Sequence, residues 1–256
     1  SETLLAGVLD LEFELAIQTY RESHRGTLLG MTRFRDVLDD MPILGYGRGA
    51  LHSDRLTSFH ATLVGHALNY ITRGTYWGTE QRAQIDFAVG NGTGVSNFRY
   101  RNDCGVGGED CSLCMVSSVA PAYWVRWMLL ADDALTDVIY VGRGAPRRWF
   151  ASAAPFGITA APTRLGWGTY SISPNQADHS ATGYFTLKRN AISSGQAVIV
   201  TVWFRAATGP SLPFKCAGVT GGATLLGWHS ANETATVRLP STVTTFNFTV
   251  SMACSA

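Results

Sequence analysis

The sequence predicts an α+β protein in which an N-terminal α-helical segment, residues 1–135, precedes an antiparallel β-sandwich over residues 136–256. Before residue 135 the apolar residues recur mostly at helical spacing. After it, short runs of alternating polarity are separated by Gly, Pro, Ser and Asn. A hydrophobic content of 46% in 256 residues is enough to bury a core.

The first predicted element is a largely buried amphipathic helix. Asp10, Glu14 and Gln18 share one face, which we expect to be exposed to water. Strict alternation between Leu9 and Leu15 leaves a strand as the alternative. The apolar face consists of Leu4, Val8, Leu11 and Leu15, with Leu5, Leu9 and Phe13 beside it.

Three further helices are predicted before residue 135. A short one spans Thr32 to Asp39, and a longer one begins at a cap formed by Ser53 or Asp54 and ends at Arg73, before Gly74. The last begins near Ser117 and Ser118, with Pro121 in its first turn.

The second half of the chain is predicted to be all β. No helical crossover intervenes between its runs, and this indicates antiparallel pairing. The predicted strands lie near 137–142, 165–173, 182–188, 196–205, 233–239 and 244–252.

Charge and hydropathy exclude two classes of protein. Lys and Arg number 20 against 19 for Asp and Glu, and no basic run exceeds the pair Arg147-Arg148, so we expect no nucleic-acid partner. No stretch approaches the roughly 20 apolar residues of a membrane span. The start at Ser1, without signal-peptide features, suggests a processed or excised chain, although a purification product would look the same.

Three Asn-x-Thr sequons predict N-glycosylation at Asn91, Asn232 and Asn247, and hence a secreted glycoprotein outside the cytosol. Around Asn247 the apolar residues share one parity and the asparagine falls on the other. A glycan at this position is expected to project from the sheet.

Five cysteines are present. Cys104, Cys111 and Cys114 cluster in a Gly-rich loop, which predicts a local disulfide, with a metal site or a redox pair as less favoured alternatives. Cys216 and Cys254 are candidates for a second bridge. The odd number leaves one thiol over or in a bond to another chain.

The histidines do not predict a metal site. His60 and His66 are six residues apart on a predicted helix, and this spacing corresponds to a rotation of about 240° about the helix axis, so they do not face one site. No Gly-x-Ser-x-Gly motif or phosphate-binding loop is present, and no cofactor is expected.

Glycoside hydrolysis requires two carboxylates across a cleft. Glu80 follows a predicted helix end, beside Tyr76 and Trp77, whose rings suit stacking on a sugar. Glu80 is the candidate acid; the alternative is that it pairs with a neighbouring arginine. Weaker catalytic candidates lie in the Cys-rich loop: Asp103, Glu109 and Asp110.

Several passages resemble the C-terminal part of six-hairpin glycosidase-like proteins. They are Thr57-Ser-Phe-His-Ala-Thr-Leu-Val-Gly-His66, Arg73-Gly-Thr-Tyr-Trp-Gly-Thr-Glu-Gln81, Val125-Arg-Trp-Met-Leu-Leu130, Tyr140-Val-Gly-Arg-Gly-Ala-Pro-Arg-Arg-Trp149 and Ala161-Pro-Thr-Arg-Leu-Gly166. The resemblance implies an (α/α)6 toroid followed by a β-sandwich, and a carbohydrate partner. Only about four helices fit before residue 135, so an N-terminal companion segment or other copies of the chain are expected.

Two functions follow as hypotheses. The first is a secreted, carbohydrate-associated module that resembles the C-terminal part of a glycoside hydrolase. The second is a non-catalytic extracellular structural glycoprotein that assembles with itself or with a partner chain. A third, a sugar-binding module without catalysis, would have an aromatic platform and no acid pair.

Overall fold

The computed structural model describes residues 9–28, 31–34, 37–39, 43–69, 81–84, 115–133, 135–152, 154–207, 209 and 211–252. The chain divides into two compact units, Ser1–Val125 and Arg126–Ala256. The division falls ten residues before the predicted boundary at 135. The reason is that strand β5, Leu130–Asp132, pairs with β6, Val138–Val141, inside the second unit.

The first unit mixes helices with a small sheet. Its helices in chain order are α1, Leu11–Ser23; α2, Ile43–His52; α3, Leu56–Asn69; and α4, Met115–Leu129, which continues into the second unit. Four short strands form one sheet in the order β1-β2-β3-β4: Thr27–Leu28, Met31–Phe34, Val37–Asp39 and Gln81–Gln84.

The predicted helix at 32–39 is wrong. The segment forms β2 and β3, which pair through Arg33 with Leu38 and Phe34 with Val37. A run of eight residues fits a helical turn pattern and a hairpin about equally well, and here tertiary pairing decides. Helix α2 was not predicted, because three glycines in ten residues argue against a helix.

Gly47 explains why glycine is used within α2. A Cβ atom there would lie 2.6 Å from Nε1 of Trp124, the buried tryptophan of α4. Trp124 also meets His66 of α3 edge to face, with ring centroids 5.0 Å apart. Helix α4 begins at Met115, earlier than predicted, so Pro121 lies inside the helix rather than in its first turn.

The second unit contains two five-stranded sheets. After β5 and β6, its strands are β7, Phe156–Thr163; β8, Gly166–Asn175; β9, Ser180–Arg189; β10, Val198–Trp203; β11, Cys216–Thr220; β12, Thr224–His229; β13, Thr234–Leu239; and β14, Thr245–Ser251. The first sheet has the order β12-β13-β10-β6-β5 and the second β11-β14-β9-β8-β7. A one-turn helix, α5, spans Arg147–Phe150.

All six predicted strands are present within a few residues of their predicted bounds, as β6, β8, β9, β10, β13 and β14. The sequence did not predict β5, β7, β11 and β12. Pairing is antiparallel throughout the two sheets except between β6 and β10, which run parallel. The chain between β6 and β10 passes through the other sheet, and this allows the parallel pairing.

The two sheets contact each other through buried aromatic side chains. Phe204, which follows β10, lies 5.0 Å from Phe248 of β14 between ring centroids. Phe246, Phe248 and Val250 are buried while Asn247 and Thr249 are exposed. The parity predicted for the Asn247 segment is therefore confirmed.

The segment 140–149, which resembles a family motif, turns the chain from β6 into α5. Gly142 has φ +68°, in the left-handed region that glycine adopts without strain. The guanidinium of Arg143 lies 5.0 Å from the ring centroids of both Tyr140 and Trp203. These cation–π contacts hold the turn against Trp203 at the C-terminal end of β10. No helix in the described ranges is long and apolar enough to cross a membrane.

Candidate functional site

Most of the predicted site residues lie outside the described part of the chain. These are Tyr76, Trp77, Glu80, Asn91, Asp103, Cys104, Glu109, Asp110, Cys111, Cys114 and Cys254. Asn232, Asn247 and Cys216 are described. Cys216 is disulfide-bonded, and its predicted pairing with Cys254 stays a prediction.

A pocket of about 430 Å³ opens at one end of the two-sheet unit, and we call it the end pocket. This volume suits a small ligand such as a sugar unit. Five segments of the second unit build it: α5, the β8–β9 turn, the residues after β10, the residue Phe214 before β11 and the residue Met252 after β14. Its lining is Phe150, Ala151, Asn175, Gln176, His179, Ser180, Ala206, Ala207, Phe214 and Met252.

The β8–β9 turn supplies the polar groups of the end pocket. Oδ1 of Asn175 accepts the N–H of Ala177 at 3.1 Å, which holds the asparagine at the start of the turn. His179 has φ +50°, a left-handed conformation that costs a non-glycine residue about 1 kcal/mol. Its carbonyl accepts the N–H of Met252 at 3.4 Å. Amide and imidazole groups thus stand at the mouth of the pocket.

A half-buried ion pair, in which the glutamate is buried, fixes another part of the pocket wall. Oε2 of Glu233 lies 2.5 Å from Nη2 of Arg147, and Oε1 accepts the N–H of Ala206 at 2.7 Å. Arg147 also donates to the carbonyl of Ala206 at 3.1 Å. Glu233 is fully buried and has φ +53°. Because both backbone groups of Ala206 are bound by charged side chains, its position in the pocket wall is well defined.

Two phenylalanines supply the apolar part of the end pocket. Phe150 and Phe214 are both buried. Phe150 packs edge to face on Phe156, with ring centroids 5.0 Å apart and an interplanar angle of 85°. The pocket therefore combines apolar surface with neutral hydrogen-bonding groups and one imidazole.

The lining of the end pocket contains no carboxylate. The second unit has five acidic residues in its sequence, and each has a hydrogen-bond or ion-pair partner. The pairs are Asp132 with Arg126, Asp133 with Tyr140, Asp137 with Arg164, Asp178 with Ser180, and Glu233 with Arg147. No two of them face each other across this pocket. The two-carboxylate arrangement of a glycosidase is therefore absent from the lining of this pocket.

The first unit contains a second polar feature, which overturns the prediction for α1. Glu14 and Gln18, expected on the wet face, are fully buried. Oε2 of Glu14 lies 2.5 Å from Nδ1 of His52, and Nε2 of Gln18 donates to Oγ of Ser53 at 3.1 Å. These bonds to the end of α2 give partners to Oε2 of Glu14 and to the amide of Gln18, which burial would otherwise leave unpaired.

The same row continues one turn further at Glu22, and we call Glu14, Gln18 and Glu22 the polar seam. The carboxylate of Glu22 accepts hydrogen bonds from Tyr46 at 2.5 Å and Ser58 at 3.2 Å, and it forms an ion pair with Arg55. Burial raises the pKa of Glu22, but the hydrogen bonds from Tyr46 and Arg55, the charge of Arg55 and the bond from Ser58 outweigh it. The net pKa is lowered. The pKa of Tyr46 is raised, first by burial and then by the hydrogen bond that it donates to Glu22 and by the negative charge of Glu22.

The face of α1 that was predicted to be buried is exposed in part. Of that predicted face, Phe13 is 63% exposed, Leu11 48% and Leu15 36%, while Leu4, Leu5 and Val8 lie outside the described residues. Tyr20, which was not part of the prediction, is also 63% exposed. Periodicity located both faces of this helix correctly but could not reveal which one packs, because hydrogen-bond partners for the polar face lie about 35 residues away in the sequence.

No group of three or more potential metal ligands occurs among the described residues. Among curated proteins, the 11S globulin seed storage protein 2 of Sesamum indicum is 28% identical to the chain over 142 residues. The match covers 54% of this chain and 27% of the globulin, so the chain spans about a quarter of that protein's length. No protein-family model and no solved structure matches the chain.

Proposed function

We propose that the chain is a secreted, glycosylated, carbohydrate-associated module that resembles the C-terminal part of a glycoside hydrolase. In this proposal the first unit corresponds to the last hairpins of an (α/α)6 toroid, and the second is a β-sandwich that binds a neutral sugar in the end pocket without cleaving it.

The end pocket carries this proposal. Sugars present hydroxyl groups around an apolar ring face, so their sites combine aromatic or apolar surface with amide, hydroxyl and imidazole groups. Phe150 and Phe214 supply the apolar surface, and Asn175, Gln176 and His179 supply the amide and imidazole groups. A neutral lining suits a neutral ligand, because a buried unpaired charge on the ligand would be costly.

Binding without hydrolysis is favoured over catalysis in this unit. Protonation of a leaving oxygen and attack at the anomeric carbon require two carboxylates roughly 5–10 Å apart. Of the two carboxylates next to lining residues, Glu233 is buried in its bonds to Arg147 and Ala206, and Asp178 is exposed and accepts a hydrogen bond from Ser180 at 2.5 Å. Catalysis by Glu80, with Tyr76 and Trp77 as a platform, stays a separate prediction for residues outside the described ranges.

The test uses neutral trisaccharides of glucose, mannose and N-acetylglucosamine as probes. Saturation-transfer NMR on the full chain detects binding, and a reducing-end assay on the same samples detects hydrolysis. We expect binding of at least one probe, with no new reducing ends when Glu80 is replaced by Gln. Failure of all three probes to bind would contradict the proposal.

A second function is favoured by the exposed apolar face of α1. A structural glycoprotein that assembles with copies of itself or with a partner chain would cover Leu11, Phe13 and Tyr20, because exposed apolar clusters of this kind mark interaction surfaces. Sedimentation velocity distinguishes this structural function from the sugar-binding function. A concentration-dependent oligomer that Phe13→Ser dissociates, in a chain that binds no sugar, would support the structural function.

A further inference from the structure

The outer face of the second sheet carries a row of polar side chains around one sequon. In register across four strands lie Thr220 of β11, Asn247 of β14, Tyr184 of β9 and Ser171 of β8. The next row includes Thr249 and Thr182, which are directly opposite each other. We call these six residues the hydroxyl face. No acidic or basic side chain belongs to it.

Asn247 and Tyr184 are a directly opposed cross-strand pair. Side chains at such positions have Cβ atoms about 4.5–5.5 Å apart. Both residues are exposed, Tyr184 by 41%. The two side chains therefore occupy neighbouring positions on the outer face of the sheet, and the tyrosine is partly open to solvent.

We infer that an N-linked glycan on Asn247 lies along the hydroxyl face with its first sugar against the ring of Tyr184. This inference rests on the proposed function, because it requires passage through a secretory pathway. The apolar side of a sugar ring packs on an aromatic face, and the neighbouring threonine hydroxyls are able to hydrogen-bond to its polar edge. The glycan would thus cover a sheet face that otherwise exposes a large aromatic ring.

The attachment is an ordinary transfer from a lipid-linked oligosaccharide. A bond forms between Nδ2 of Asn247 and the anomeric carbon of the first sugar, the lipid diphosphate leaves, and one amide proton passes to the base of the transferase. Thr249, which completes the sequon, is exposed on the same face. The other described sequon differs: Asn232 lies in the turn before β13, off the hydroxyl face, and provides a matched control.

The experiment uses the full chain secreted from a eukaryotic host. Glycopeptide mass spectrometry locates the modified asparagines, and thermal unfolding is then measured in a double-mutant cycle of Tyr184→Thr with Asn247→Gln. We expect Asn247 to be modified, and Tyr184→Thr to lower Tm by about 2–4 °C more in the glycosylated chain than in the Asn247→Gln background. Tyr184→Phe, which keeps the ring, should retain the coupling.

Two controls separate a local contact from a general effect. Trp167, another exposed aromatic residue, lies on the neighbouring strand opposite Lys188. We expect no coupling between Trp167→Thr and Asn247→Gln, or between Tyr184→Thr and Asn232→Gln. If Tyr184→Thr lowers Tm equally in the glycosylated chain and in the Asn247→Gln and Asn232→Gln backgrounds, the inference is overturned. Glycosylation at Asn232 with none at Asn247 would also overturn it. Absence of any glycan would also contradict the proposal of a glycoprotein, whereas sugar binding in the end pocket is measured independently.

Discussion

Oε2 of Glu14 lies 2.5 Å from Nδ1 of His52, and this bond joins a fully buried carboxylate of α1 to the last residue of α2. It explains why α1 packs through its polar face. The other oxygen, Oε1, is buried without a hydrogen-bond partner, so the bond to His52 is the contact that offsets the burial of the carboxylate.

Glu14→Ala should destabilise the chain. Loss of one partner from a buried hydrogen bond costs about 1–3 kcal/mol in the free energy of unfolding. Glu12→Ala on the same helix is the matched control, because Glu12 is exposed and the change should stay within about 0.5 kcal/mol. Urea denaturation measures both. Equal effects would show that the polar seam does not hold α1.

The lowered pKa of Glu22 predicts that the chain loses stability in acid. Its pKa in the folded chain is below its ordinary value, so the stabilisation is present at neutral pH and is lost as pH falls through the lowered pKa. Thermal unfolding from about pH 7 to about pH 3 should show a steeper acid decline in the natural chain than in Glu22→Gln. Parallel curves would contradict the assignment.

Arg189 organises the loops at one end of the second unit. Its guanidinium donates to the carbonyl oxygens of Ser193, Gln196, Leu239, Pro240 and Val243. Burial lowers its pKa. A lysine ammonium does not reproduce the planar fork, so Arg189→Lys should cost about 2 kcal/mol in unfolding free energy.

The neighbouring Lys188 gives the control for that change. Its side chain is exposed on β9, and Lys188→Arg should change stability by less than about 0.5 kcal/mol. A tolerated Arg189→Lys, measured in the same denaturation series, would mean that these loops do not depend on the fork.

The pair of Glu233 and Arg147 should matter more than a surface pair, because its carboxylate is buried. Glu233→Gln keeps a group that accepts the Ala206 N–H but removes the charge, and we expect a loss of about 1–3 kcal/mol together with weaker sugar binding. Asp137→Asn breaks the pair with Arg164, in which both side chains are at least one-third exposed, and should cost less than about 1 kcal/mol. Calorimetric unfolding of both variants tests the ranking; the reverse order would contradict it.

Local pattern was enough to predict the six strands that alternate in polarity, including the outward position of Asn247. It failed where long-range pairing decides. Met31–Phe34 and Val37–Asp39 pair as two strands, and β11 and β12 are short strands with no fully buried residue, so the contrast between buried and exposed positions that marks a strand is weak in them.

The end pocket could not have been predicted for a related reason. Its polar residues come from one turn, Asn175 to Ser180, but its walls come from Phe150, Ala206 and Phe214, which are brought together only by the pairing of the sheets. Turn composition signalled a loop at 175–180 without indicating what it would face. The sequence pointed instead to carboxylates and to Tyr76 and Trp77 beside Glu80, which lie outside the described residues.

The most direct test of sugar binding in the end pocket is isothermal titration calorimetry with whichever neutral trisaccharide gives the strongest NMR response. The proposal predicts that His179→Ala and Asn175→Ala each weaken binding about tenfold, the effect of roughly 1.4 kcal/mol. It predicts that His229→Ala, an exposed histidine on β12 outside the pocket, leaves Kd unchanged. Unchanged Kd in both pocket variants, with their thermal unfolding intact, would contradict the proposal.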